Sequence, residues 1–233
     1  MSSLYFVAGT DTGVGKTSAS LALLAAGRQL GLDTAAVKPV ASGCRSTPRG
    51  WRNEDALALQ AVMTRRLDYD TVNPVALPRP LSPHLAAAAA GRTLQVRQLL
   101  ADCHRALTPA PDLGLVEGAG GWRVPISQAE TLADLARALA CPVVLVVGLR
   151  LGCISHALLT AEAIEADGLQ LAGWVGNHCD ADAPCQRGVL ATLHQRLGAP
   201  CLGILPHLAP GPLRHWAAQL ARHLDIGLLL RRH

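Results

Sequence analysis

The stretch Gly9-Thr10-Asp11-Thr12-Gly13-Val14-Gly15-Lys16-Thr17 constrains this chain more than any other. It follows an apolar run, Leu4–Ala8, and opens a helical pattern, Thr17–Leu30. A glycine-rich turn between a strand and a helix brings backbone N–H groups and the positive end of the helix to one point, which is a phosphate-binding geometry. Gly13 and Gly15 let the backbone turn tightly, Lys16 brings a compact ammonium to terminal phosphates, and the Thr17 hydroxyl can ligate Mg²⁺. The usual spacing puts its first glycine at position 10. Here Thr10 stands there and Gly9 comes one residue early.

The rest of the chain repeats the strand-then-helix rhythm. Apolar runs at Leu4–Ala8, Thr34–Val40, Leu113–Glu117, Val143–Gly148, Leu171–Asn177 and Cys201–Leu205 predict strands buried on both faces. Helical patterns are expected at Thr17–Leu30, Glu54–Met63, Leu94–Ala106, Leu132–Leu139, Ser155–Ala166, Cys185–Leu197 and Leu213–Leu224, with Gly31, Gly168 and Gly198 as C-caps. The fold expected is α/β: one P-loop NTPase-like domain over residues 1–233, mostly parallel sheet, helices on both faces. The segments Ala41–Arg52 and Asn73–Pro83, rich in Pro, Gly and Arg, should lie over the strand ends where ligands bind. A loose tail is expected from about residue 226.

Composition excludes several classes. Half of the 233 residues are hydrophobic and only 3% are aromatic, so Ala, Leu and Val must fill the core. The net charge of +4 is spread along the chain, which argues against nucleic acid as a partner. No apolar run is long enough for a membrane span, and the N-terminus carries no targeting signal. The seven cysteines form no C-x-x-C pair and fit free thiols in a reducing cytoplasm. Of 21 basic residues only Lys16 and Lys38 are lysines; the other 19 are arginines. A chain that uses Arg wherever a surface cation suffices keeps Lys where a compact point charge is needed.

A Mg²⁺–nucleotide site also needs carboxylates. Glu117 ends a buried apolar run at the edge where active sites gather, and the loop Gly118-Ala119-Gly120-Gly121 after it can approach phosphate. Asp55 stands in the first turn of a helix capped by Asn53, so it either ligates metal or merely complements the helix dipole. Asn177-His178-Cys179-Asp180 nearly matches a guanine-reading pattern; an Asn amide there reads a purine or simply closes a strand.

Taken together, the residues resemble the dethiobiotin synthetase family. The resemblance rests on Tyr5–Thr17, Lys-Pro-Val-Ala-Ser-Gly at Lys38–Gly43, Arg-Asn-Glu-Asp-Ala at Arg52–Ala56 and Val-Asn-Pro at Val72–Pro74. Ser-Pro-His at Ser82–His84, Val-Glu-Gly-Ala-Gly-Gly-Trp at Val116–Trp122, Leu151–Ala157 and Ala172–Val175 extend it over nearly the whole chain. It implies a cyclo-ligase that uses ATP and Mg²⁺ to join CO₂ to 7,8-diaminononanoate (diaminopelargonate), through a carbamate and a carbamic–phosphoric anhydride, giving dethiobiotin, ADP and phosphate.

By position, the resemblance implies that Gly13, Val14, Gly15, Lys16, Thr17 and Ser18 hold ATP together with Gly118, Ala119 and Gly120. Asn177, His178, Pro206, His207 and Leu208 surround the base. Thr17, Asp55 and Glu117 hold Mg²⁺. Lys38 and Lys16 are the catalytic lysines. Thr12, Lys38 and Ser42 meet the diamine. Gly152, Cys153, Ile154 and Ser155 are expected to bind the substrate carboxylate from the other subunit of a homodimer. A neutral attacking amine implies an alkaline optimum. Gly13 stands where some members carry Glu, and Ser155 where Asn occurs. The alternative function is a regulatory ATPase of the partitioning type, although Thr10 and Asp11 fill the place of that class's second lysine. An amidotransferase synthetase would need a further glutaminase domain.

Overall fold

In the computed structural model, residues 3–180, 186–209 and 211–230 are described. The chain runs β1 (Ser3–Gly9), α1 (Lys16–Gln29), β2 (Thr34–Val37), β3 (Val40–Ala41), β4 (Arg45–Thr47), β5 (Gly50–Arg52), α2 (Glu54–Val62), α3 (Tyr69–Val72), β6 (Val75–Ala76), α4 (Pro83–Ala89) and α5 (Val96–Ala106). It continues with β7 (Leu113–Glu117), α6 (Leu132–Leu139), β8 (Val143–Gly148), α7 (Cys153–Ala166), β9 (Leu171–Asn177), α8 (Gln186–Arg196), β10 (Cys201–Leu205), α9 (Leu213–Ala221) and α10 (Gly227–Leu230).

Six strands form one parallel sheet in the order β10-β9-β8-β1-β7-β2. Side chains alternate across it. Tyr5 and Val7 of β1 pack with α1, α2 and α9, while Phe6 and Ala8 pack with α5, α6 and α7. Both faces are covered, which is why these strands are apolar throughout. The strand order has a direct consequence for function. β1, β7 and β2 are neighbours, so the loop after Gly9, the carboxylate of Glu117 and the lysine after Val37 leave the sheet side by side at its C-terminal edge.

Three expectations need correction. β2 ends at Val37 rather than running to Val40. Pro39 has no N–H for the ladder, and Lys38 donates its own N–H to Val72 O (2.8 Å), so the chain leaves β7 and Val40–Ala41 pairs with β6 instead. Gly31 and Gly168 adopt the left-handed conformation of a helix terminator, but Gly198 does not. The tail expected from about residue 226 is packed as far as 230: Ile226 and Leu229 are buried, and the Tyr5 hydroxyl donates to Leu229 O (2.8 Å). Burying these apolar side chains against α1 and α9 outweighs the cost of ordering a short terminus. The start of the expected helix at Cys185, and residues 231–233 of the tail, lie outside the described residues. The irregular segments do cover the strand ends, carrying the small β3–β6 pair, the β4–β5 hairpin and α4.

Candidate active site

The loop between β1 and α1 is shaped by what it must clear. Gly15 caps α1 at φ +94°, a conformation that favours glycine, and a Cβ there would lie 2.2 Å from Asn177 Nδ2. The early glycine has its own reason. A Cβ on Gly9 would sit 2.9 Å from Lys16 Nζ and 2.8 Å from Val14 Cγ2, so Gly9 leaves room for the ammonium that folds back over it. Lys16 donates to Asp11 O (2.9 Å) and Gly120 O (2.5 Å), which ties the loop after β7 to the loop after β1.

Beside it lies a compact charged cluster. Lys38 Nζ contacts Glu117 Oε1 at 2.6 Å and Asp55 Oδ2 at 3.0 Å, and the Thr17 hydroxyl donates to the same Glu117 oxygen at 2.8 Å. Lys38 is 5% exposed and Glu117 is fully buried, so each charge depends on the other for its compensation. Burial alone would lower the Lys38 ammonium, but Glu117 and Asp55 outweigh it and hold it above its ordinary range. Asp55 is held below the usual carboxylate range: its own partial burial pushes upward, and Lys38 with the Thr17 hydroxyl pulls harder the other way.

Asp55 gets there because Asn53 caps α2. The Asn53 side chain accepts from the Ala56 N–H at 3.2 Å, which aims the first turn at Lys38. Glu117 Oε2 is buried with no hydrogen-bond partner. Two carboxylates and a hydroxyl, one oxygen of them unsatisfied, fit Mg²⁺, which binds through few protein oxygens and keeps the rest for water and phosphate. Among the described residues no group of three or more His, Cys, Asp or Glu could hold a metal.

A cavity of about 670 Å³ opens onto this cluster. Thr12, Gly13, Gly15, Lys16, Thr17 and Ser18 line it. Lys38, Ser42, Asp55, Ala119 and Gly120 line it as well. Val14 is buried behind its loop, and Gly118 is anchored to Val7 O through its N–H (3.0 Å). Asn177 is 9% exposed and donates its amide to Val14 O (3.1 Å), so it braces the phosphate loop. His178 N–H donates to Leu205 O (3.0 Å), which brings Asn177, His178 and the Pro206-His207-Leu208 segment to adjoining strand ends outside the cavity.

Gly152, Cys153, Ile154 and Ser155 do not line the cavity of their own chain. Gly152 caps α7 at φ +92°, and the preceding Leu151 is fully exposed. Three features of the site are not marked residue by residue in the sequence. Pro80, Leu81, Ser82 and Pro83 complete the cavity wall, within the segment Asn73–Pro83 expected over the strand ends. Arg150 Nη2 pairs with Asp11 Oδ2 (2.6 Å), joining the start of α7 to the phosphate loop. Trp122 packs edge-on against Phe6 and donates to Asp167 Oδ2 (2.7 Å), anchoring the far end of the glycine loop.

Lys16 gives the site a pH dependence. Burial, then the nearby Lys38 ammonium, lower it from 10.5 to about 8. A triphosphate bound against Lys16 would favour the charged form, so binding would raise that pKa and take up protons near pH 8. ATP affinity should therefore be flat below pH 8 and fall above it, by up to about tenfold per pH unit. Calorimetry in two buffers of different ionisation heat measures the proton uptake. No uptake, with affinity flat to pH 9.5, would place Lys16 away from the phosphates.

A family model described as an AAA domain matches residues 3–210. Among curated proteins, the ATP-dependent dethiobiotin synthetase BioD of Marinobacter nauticus is 51% identical over 227 residues, 97% of each chain. That of Pseudomonas aeruginosa strain UCBPP-PA14 is 54% identical over 222 residues, 95% of this chain and 96% of the other. Among solved structures, the MinC:MinD cell division complex of Aquifex aeolicus aligns with a TM-score of 0.58 at 14% identity, covering 99% of this chain and 94% of that one. The cell division protein FtsY of Thermotoga maritima aligns with a TM-score of 0.50 at 16% identity, covering 100% of this chain and 69% of that one. These two show the fold alone. Identity above half, over nearly the full length of both chains, decides the matter: the chain belongs to the family of ATP-dependent dethiobiotin synthetases.

Proposed function

We propose that this chain converts 7,8-diaminononanoate, CO₂ and ATP to dethiobiotin, ADP and phosphate. The observation that carries the reading is the placement of Lys38 between Glu117 and Asp55, at the cavity that Lys16 and Thr17 also line. One amine adds to CO₂ to give a carbamate. A carbamate oxygen attacks the γ-phosphorus of ATP and ADP leaves, forming the carbamic–phosphoric anhydride. The second amine attacks the carbamoyl carbon, the C–O bond to phosphate breaks, and the ureido ring closes.

Each step gathers negative charge at one point, so positioning and cationic stabilisation do the catalytic work. Lys16 meets the terminal phosphates and Lys38 the carbamate and the transferring phosphoryl group. Thr12 and Ser42 flank the diamine. Mg²⁺, held by Thr17, Asp55 and Glu117, supplies neutralisation of the phosphate charge when bound. Asn177, His178 and residues 206–208 frame the base.

The homodimer is part of this proposal. The first turn of α7 suits a carboxylate but lies outside its own cavity, which fits a site completed by a second subunit. The described residues act as one catalytic domain. None of their helices is long and apolar enough to cross a membrane, and the free state of the six described cysteines fits the cytoplasm.

The decisive assay is ADP release as a function of both co-substrates. It should require the diamine and bicarbonate together; ATP cleavage indifferent to the diamine would sink the reading and favour a regulatory ATPase. Within the same assay, Glu117→Gln should raise the Mg²⁺ half-saturation concentration by about tenfold or more, because it removes a charged ligand from a hard cation. An unchanged Mg²⁺ dependence would take Glu117 out of the metal site.

A further inference from the structure

Val-Asn-Pro at Val72–Pro74 has no role in the chemistry above, yet its asparagine is 2% exposed and every polar atom of its side chain is engaged. Asn73 Nδ2 donates to Lys38 O (2.7 Å) and Val75 O (3.3 Å). Both are acceptors only, which assigns the amide's orientation. Asn73 Oδ1 accepts from the Tyr69 hydroxyl (2.9 Å), and Tyr69 Oη in turn accepts from the Asn53 N–H (2.6 Å). The Arg52 guanidinium lies 4.2 Å over the Tyr69 ring and pairs with Asp70 (3.3 Å).

These contacts close a ring. Lys38 is gripped on both sides, its N–H by Val72 O and its carbonyl by Asn73. Tyr69 connects Asn73 to Asn53, and Asn53 caps the helix turn that carries Asp55. Asp55 returns to Lys38 Nζ. The backbone of the lysine and the backbone of the carboxylate that binds it are thus held by one buried hydrogen-bonded chain.

We infer that Asn73 and Tyr69 are positioning residues which set the Lys38 ammonium against the Asp55 carboxylate. The inference rests on the reading of Lys38 and Asp55 as the phosphoryl-transfer centre. It adds that their separation is fixed from residues 69–73 and not by their mutual attraction alone. Asp55 is half-exposed, and without the ring its turn would be free to swing toward solvent. A misplacement of about 1 Å at a reacting centre can cost roughly a hundredfold in rate.

The test is a pair of variants in two backgrounds, with dethiobiotin formation, ATP KM and Mg²⁺ half-saturation measured for each. Tyr69→Phe removes one oxygen and should lower kcat about tenfold and raise the Mg²⁺ requirement several-fold, with ATP KM unchanged. Asn73→Ala should cost more, since it frees Lys38 directly. In an Asp55→Asn background, itself slowed about a hundredfold, Tyr69→Phe should cost less than twofold, because the group it positions has gone. An equal loss in both backgrounds, or a loss of kcat with the Mg²⁺ requirement unmoved, would make Tyr69 a fold anchor and overturn the inference. If Asn73→Ala does not fold, the Tyr69→Phe arm decides. If Lys38→Ala and Asp55→Asn leave turnover intact, the reading of the site itself fails. If they abolish it while Tyr69→Phe and Asn73→Ala turn over normally, only the positioning role fails.

Discussion

Lys38→Ala should lower dethiobiotin formation by about a thousandfold or more and destabilise the protein in the same stroke. The kinetic loss follows from removing a preorganised cation at the point where charge develops; a single such donor is worth roughly 10²–10³ in rate, and here the donor is a full charge. The stability loss follows from Glu117. It is fully buried, with Lys38 and the Thr17 hydroxyl on one oxygen and no hydrogen-bond partner on the other. Taking one partner from a buried ion pair costs about 3–5 kcal/mol. For a chain of this size that is a fall in melting temperature of roughly 10 °C. Mg²⁺ should restore part of it, because the metal offers the stranded carboxylate another cation. Lys38→Arg should be nearly as inactive, since a planar fork cannot stand where an ammonium sits 2.6 Å and 3.0 Å from two carboxylates. Thermal melts with and without Mg²⁺, alongside steady-state rates, check both halves. A variant within tenfold of the parent rate and equally stable without Mg²⁺ would remove Lys38 from the centre of the chemistry.

What the sequence makes legible here follows the physics of each element. β7, β8, β9 and β10 are readable to the residue because each is an apolar run ended by a polar residue, glycine or loop. α6 is equally clear, with a Thr131–Asp134 capping box at its start. Lys38 stands out by composition, as one of two lysines among arginines. β2 misleads because the force that ends it lies far along the chain, where residues 72–75 capture the backbone of Lys38 and Pro39. Asp55 is ambiguous for a related reason. The same Asn53 that caps α2 makes an acidic residue in the first turn favourable wherever it points, and only the fold brings Lys38 to it. Asn73 is beyond local reading: its partners are 2, 4 and 35 residues away, and no periodicity marks it.

A mixture of two inactive parents should recover activity if each site is shared between subunits. Take one parent with Lys38→Ala and a second with Ser155→Glu, which sets a negative charge against the substrate carboxylate at the start of α7. Each homodimer has two broken sites and should be nearly dead. After dissociation and reassortment of equal amounts, about half the dimers are mixed by two-fold symmetry. In a mixed dimer, one site combines the intact Lys38 of one chain with the intact α7 start of the other, and the second site carries both lesions. Activity should therefore rise to about a quarter of wild type. The structure makes this arrangement reasonable. The α7 start lies outside the cavity of its own chain, beside the fully exposed Leu151, while Arg150 is paired to Asp11 of the phosphate loop. That pair would link the nucleotide loop of one site to the carboxylate anchor of the other. If mass measurements confirm mixed dimers and no activity returns, the α7 start serves its own subunit or does not meet the substrate at all.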